Sequence, residues 1–154
     1  MKTKADAFHH TLKDIYYAEK AVTKALPKMI EAASDAELKG AFEEHLMETK
    51  EHVKILQKVF ATINQPSEGE KCDAIEGLIK ETEGIIDQAS GEALHAALIG
   101  AAQAVEHYEI ARYGTLREWA KDLKNNEAHD LLSQILDMEK ATNAKLTGIA
   151  VSAA

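Results

Sequence analysis

A chain of 154 residues, 45% hydrophobic and 29% charged, has the make-up of one globular domain over residues 1–154 and can bury a sizeable core. Its net charge of −8 argues against an extended nucleic-acid surface or an anionic-membrane surface. The only cysteine, Cys72, excludes an internal disulfide framework and a cysteine-built zinc site, and it suits a reducing compartment.

The opening residues, Met1 to Asp6, lead into no uninterrupted apolar stretch. Neither a signal peptide nor a membrane span is expected, and the cytoplasm is the expected compartment. Apolar residues three and four apart then predict a helix from about Ala5 to Ala33, through Phe8, Leu12, Ile15, Val22, Leu26 and Ile30. Pro27 should kink this helix rather than end it, because the spacing continues beyond it. Ser34-Asp35-Ala36-Glu37 reads as a capping box with Ser34 as the N-cap, opening a second helix to about Thr62. Asn64 to Lys71, with Pro66, Ser67 and Gly69, is the most loop-like stretch, followed by a shorter helix from about Asp73 to Gln88. Ser90-Gly91 precedes a third long helix, about Glu92 to Leu123, in which Gly114 is a local weak point. Asn125-Asn126 separates it from a last helix, about Glu127 to Val151.

The predicted fold class is therefore all-α. Tight turns make helices one and two, and the last two long helices, antiparallel neighbours. A longer connection with a short extra helix joins the two pairs, as in the one-crossover topology of ferritin-like four-helix bundles. An up-down bundle is the alternative.

The informative feature is a conflict between periodicity and residue type. Glu19 falls inside the apolar stripe of the first helix. His45, Glu48 and His52 share a stripe with Ala41 and Ile55 on the second, Glu106 and Glu109 lie on the third long stripe, and Glu139 on the last. Carboxylates meeting in a core suffer desolvation and mutual repulsion unless something compensates them. Two divalent cations are an economical compensation, because carboxylates can bridge them and imidazole adds a nitrogen donor. Residues three apart share a helix face, so His45 with Glu48, and Glu106 with Glu109, can each serve one site.

The bland readings compete. A single glutamate beside an apolar stripe usually snorkels or sits at its edge, and a lone core histidine is usually hydrogen-bonded. Four such glutamates, one per long helix and each near mid-length, favour the metal reading. His52 ranks below His45, as a supporting donor or an alternative ligand. Glu51 falls with Lys50, Lys54 and Lys58 on a solvated face, and Cys72 sits beside the crossover without a partner. The four tyrosines read mainly as core or interface aromatics, one of which can hydrogen-bond a ligand or donate an electron. Trp119 is about 20 Å along its helix from Glu106, too far to be a ligand. No nucleophile elbow, P-loop or dinucleotide fingerprint is present.

Four segments carry a resemblance: Asp14-Ile-Tyr-Tyr-Ala-Glu19-Lys20, His45-Leu-Met-Glu48-Thr49, Glu106-His-Tyr-Glu109-Ile-Ala-Arg-Tyr113 and Glu139-Lys140-Ala-Thr. Together they resemble the YciF/YciE family of bacterial ferritin-like proteins, over nearly the whole chain. The resemblance implies a ferritin-like fold, a dinuclear metal site, a homodimer and an association with bacterial stress responses. It places metal ligands at Glu19, His45, Glu48, Glu106, Glu109 and Glu139, and implies no particular reaction. The wider ferritin-like superfamily uses Glu-x-x-His on two helices. Here Glu51 follows Glu48 and Thr142 follows Glu139 at that spacing, so ferroxidase behaviour does not transfer directly. Asn143 is left as a weak ligand or a supporting group.

The expected function is a stress-associated oxidoreductase with a di-iron or di-manganese centre that uses O2 or peroxide. A non-catalytic bundle with structural or no metal is the rival from another class, and iron sequestration is a third. No nucleic-acid or membrane partner is expected.

Overall fold

The computed structural model describes residues 1–152. Its five helices, with no strand among the described residues, are α1 Lys4–Ala32, α2 Ala36–Thr62, α3 Asp73–Gln88, α4 Gly91–Asp122 and α5 Asn126–Ser152. The all-α expectation holds, and the helix limits fall close to those read from the sequence. No described helix is long and apolar enough to cross a membrane.

The starts of the helices follow from their capping residues. Thr3 caps α1 in a reciprocal box, its hydroxyl accepting from Asp6 N at 3.1 Å while Asp6 accepts from Thr3 N at 3.0 Å. Pro27 lies inside α1, which runs on to Ala32. The capping of α2 differs from expectation by one residue: Asp35, not Ser34, accepts from the N–H three positions on, at Leu38, 2.8 Å away. The charged carboxylate is the better acceptor at the positive end of a helix. Asn125 caps α5 by accepting from Ala128 N at 3.1 Å, and it donates to the Thr62 hydroxyl at 2.9 Å, joining two helix ends. Gly114 leaves α4 unbroken.

The four long helices close a ring: α1 packs on α2, α2 on α5, α5 on α4, and α4 back on α1. The α1–α4 seam is the most open, and α3 lies over it, touching both. The preceding loop is tied down to reach that place. Glu70 N donates to the Lys13 carbonyl at 3.2 Å, and the Glu70 carboxylate pairs with Lys13 at 2.8 Å. A Cβ on Gly69 would come within 3.2 Å of Tyr17 Cβ, so a side chain there would have to shift the loop or α1 by a few tenths of an ångström. Tyr17 and Lys28 of α1 then hold α3 through Glu76 and Glu83, each at 2.5 Å.

The core runs the length of the ring. Phe8, Leu12, Phe42, Leu56 and Phe60 of α1 and α2 are buried, as are Leu98, Leu132, Ile135 and Leu146 of α4 and α5. Truncating one such phenylalanine to alanine would cost about 3–5 kcal/mol. These apolar layers are interrupted by the buried side chains of Glu19, His45, His52, Glu106, Glu109 and Glu139.

Candidate metal centre

Helical geometry brings six ionisable residues into one stretch of the core. His45 and His52 stand seven residues apart, two turns of α2 on the same face, and Glu106 and Glu109 are one turn apart on α4. Glu19 enters from α1 and Glu139 from α5. Two groups of donor atoms result, each converging within 4.8 Å: His45, Glu106, Glu109 and Glu139 in one, Glu19, His52 and Glu139 in the other. Glu139 belongs to both.

The contacts within the groups are close but incomplete. His45 Nε2 lies 2.9 Å from Glu106 Oε1, and His52 Nδ1 lies 3.2 Å from Glu19 Oε1 and 3.1 Å from Glu139 Oε1. None of these contacts has hydrogen-bond geometry. Both imidazole nitrogens of His45 and His52, and both carboxylate oxygens of Glu106, Glu109 and Glu139, are buried without a hydrogen-bond partner. Glu19 has one such oxygen; the other accepts from the Tyr113 hydroxyl. Buried polar atoms are nearly always paired, so a cluster of orphans needs a partner of another kind. Divalent cations fit: the orphaned atoms are carboxylate oxygens and imidazole nitrogens, the donor set suited to iron, manganese or zinc.

The electrostatics agree. Burial pushes the Glu106 and Glu139 carboxyls up to about 7. Burial, then the facing Glu19, Glu139 and Glu106, drives Glu109 well above the carboxylate range. Glu19 is also raised by burial, although His52 opposes the shift. Burial lowers the His45 imidazole. It pulls on His52 too, yet Glu19 and Glu139 more than offset it and hold that imidazole at about 10. Without cations the cluster thus shares protons among its carboxyls and keeps His52 charged.

Five of the six residues named from sequence, Glu19, His45, Glu106, Glu109 and Glu139, come together. Glu48 does not join them. It is half-buried, and its Oε2 accepts from the Thr142 hydroxyl at 2.8 Å, outside both groups. Glu48 and His45 instead border a recess of about 100 Å³ between α2 and α5, with Glu44, Thr142 and Lys145. His52, ranked second from sequence, sits at the heart of the second group; its signal was its return two turns after His45. Tyr113, four residues after Glu109, is the one of the four tyrosines that hydrogen-bonds a candidate ligand, donating to Glu19. Asn143 faces Gln103, whose Nε2 lies 3.4 Å from its Oδ1, and is in neither group. Cys72 does have a partner: its Sγ lies 3.0 Å from the Tyr108 hydroxyl and also caps α3.

Residues 3–154 match the family described as "Domain of unknown function (DUF892)". Protein YciF of Escherichia coli (strain K12) is 46% identical over 154 residues, 99% of this chain and 93% of that protein. The crystal structure of the E. coli stress protein YciF superposes with a TM-score of 0.95 at 45% identity, covering 98% of this chain and 96% of that one. YcfI of Rhodopseudomonas palustris, for which a structural role has been suggested, gives 0.92 at 47% identity over 95% and 94%. A Xanthomonas campestris protein shares the fold, with a TM-score of 0.79 at 20% identity over 97% and 93% of the two chains. Matched from Thr3 to its last residue and close to YciF throughout, the chain belongs to the DUF892 family.

Proposed function

We propose that the chain is a ferritin-like, dinuclear carboxylate metal protein that acts in a stress response as an oxidoreductase toward O2 or peroxide. The observation that carries this reading is the set of orphaned oxygens and nitrogens on Glu19, His45, His52, Glu106, Glu109 and Glu139 in an otherwise apolar core. One ion would be held by His45, Glu106 and Glu109, the other by Glu19 and His52, with Glu139 between them. Bound iron or manganese supplies a one-electron couple that reduces such oxidants.

The chain's own groups prepare the site. To take up ions, His52 gives up its proton and the carboxyls give up theirs, so uptake releases protons. Tyr113 fixes the orientation of Glu19 by hydrogen bonding. The surrounding apolar layers keep bulk water from the donors. The stress role of YciF supports the cellular context, and the ring of four long helices with α3 in the connection supports the one-crossover ferritin-like topology. The role suggested for YcfI favours a second reading, a non-catalytic bundle in which ions only brace the core.

Elemental analysis of protein purified without chelator should find about two transition-metal ions per chain. Less than about a tenth of an equivalent, with no anaerobic uptake of Fe(II) or Mn(II), would overturn the metal reading. Fe(II)-loaded protein should consume O2 or peroxide, and Glu106→Ala should lose that response. Two bound ions with no oxidant consumption would favour the bracing role. The protein is further proposed to form a homodimer, for which sedimentation should give about twice 16.9 kDa.

A further inference from the structure

His45 separates two recesses of opposite character. On its α2–α5 side lies the recess bordered by Glu44, Glu48, Thr142 and Lys145, a polar approach suited to cations and water. On its other side a narrow cavity of about 20 Å³ lies beneath α3 in the α1–α4 seam. Its walls are Val22, Leu26 and Met29 of α1, Ile79 and Ile86 of α3, and Val105 of α4, with His45 among the lining residues. The Thr82 hydroxyl, also in the wall, is taken up by the Leu78 carbonyl at 2.8 Å. At the rim Lys28 and Glu83 pair with each other at 2.5 Å, both substantially exposed.

We propose that this cavity under α3 admits dioxygen to the His45 side of the metal centre and discriminates against peroxide. Three observations carry the proposal. The space suits a molecule little larger than water, and apolar cavities of this kind hold uncharged apolar guests rather than water. Apart from His45 and the Lys28–Glu83 pair at the rim, the wall offers a peroxide no free hydrogen-bond partner, so its two hydroxyls would be unpaired along the apolar stretch, whereas dioxygen has none to satisfy. The lining reaches an imidazole that is 3% exposed and has both nitrogens without a hydrogen-bond partner. Metal ions and polar solutes have a separate approach past Glu48. What dioxygen meets at His45 rests on the metal reading above; the preference of the cavity for dioxygen does not.

The first test needs no metal. Methyl-labelled, metal-free protein under oxygen pressure should show paramagnetic relaxation of the Val22, Leu26 and Val105 methyls severalfold above that of Leu132 and Ile135, which are buried elsewhere in the core. Equal relaxation in the two sets would overturn the proposal, whatever the metal content. The second test uses Ala25→Phe, which adds a ring at the half-buried wall position Ala25, outside the ligand set. Ala25→Leu replaces it if the larger ring prevents folding. The variant should abolish the selective methyl relaxation, keep the wild-type metal content, and slow the Fe(II) protein's reaction with O2 severalfold while leaving the peroxide reaction unchanged. An unaltered O2 rate, or equal slowing with both oxidants, would overturn the route. If the protein takes up no metal the proposed function fails, and the relaxation measurement still decides whether dioxygen occupies the cavity.

Discussion

His52 Nδ1 stands 3.1 Å from Glu139 Oε1, and both side chains are closed off from solvent. In the metal-free protein this proximity, with Glu19 on the other side, holds the imidazole protonated up to about 10. Glu106 and Glu139 keep their protons up to about 7. In this range the folded state therefore binds more protons than the unfolded chain. Stability falls as pH rises: His52's contribution is complete below its ordinary pKa near 6.5 and is lost on the way to about 10, and ionising the two buried carboxyls adds to the loss. His45, lowered by burial, works in the opposite sense around and below its ordinary pKa. The metal-free melting temperature should drop by several degrees between about pH 6.5 and pH 9. Calorimetry across that range checks it; a flat or rising profile would contradict the charged-cluster account.

Because Glu139 is shared by both groups of donors, it should matter more to metal content than any residue in only one. Glu139→Ala is expected to lose both ions. Glu109→Ala should keep about one, held by Glu19, His52 and Glu139. Glu48→Gln should keep about two, since Glu48 stands outside both groups and is bonded to Thr142. Elemental analysis of the three folded variants gives the ranking, and loss of both ions from Glu48→Gln would restore it as an essential ligand.

The Tyr113 hydroxyl has Glu19 as its acceptor and no exposure to water. Tyr113→Phe keeps the ring and removes the group that orients that carboxylate. Metal affinity should fall by about 10–100-fold, the usual effect of losing a hydrogen bond to a ligand. The variant should retain the helical circular dichroism of the wild type. Competition against a chelator of known affinity measures the change, and wild-type affinity would remove Tyr113 from the site.

Replacing Glu106 with leucine takes one carboxyl out of the cluster and supplies apolar volume of similar size. Exchanging buried ionic groups for well-packed apolar ones is often neutral or stabilising, by about 1–4 kcal/mol. Stripped of metal, Glu106→Leu should melt at or above wild type. With metal added the order should reverse, because ions bound by the native state stabilise the protein that holds them. Strong destabilisation of the variant in both conditions would mean that Glu106 makes an ordinary structural bond.

Much of this molecule is local in origin and therefore legible in the chain. Apolar spacing sets the five helices to within a residue or so, because each helix closes its own hydrogen bonds and hides one stripe. The placing of Glu19, Glu106 and Glu139 inside such stripes likewise sets their burial. The cap of α2 falls on Asp35 rather than the expected Ser34, because adjacent side chains can both begin a helix and the carboxylate is the better acceptor there. What only the tertiary structure decided is which members of a stripe meet. His45, Glu48 and His52 recur along one stripe of α2, yet Glu48 meets Thr142 of α5 while His52 lies between Glu19 and Glu139. The cavity beneath α3 is equally invisible in the sequence, since residues of four separate helices line it. Periodicity records how far a side chain points inward, whereas its partners depend on the rotation and crossing of other helices, which no single segment encodes.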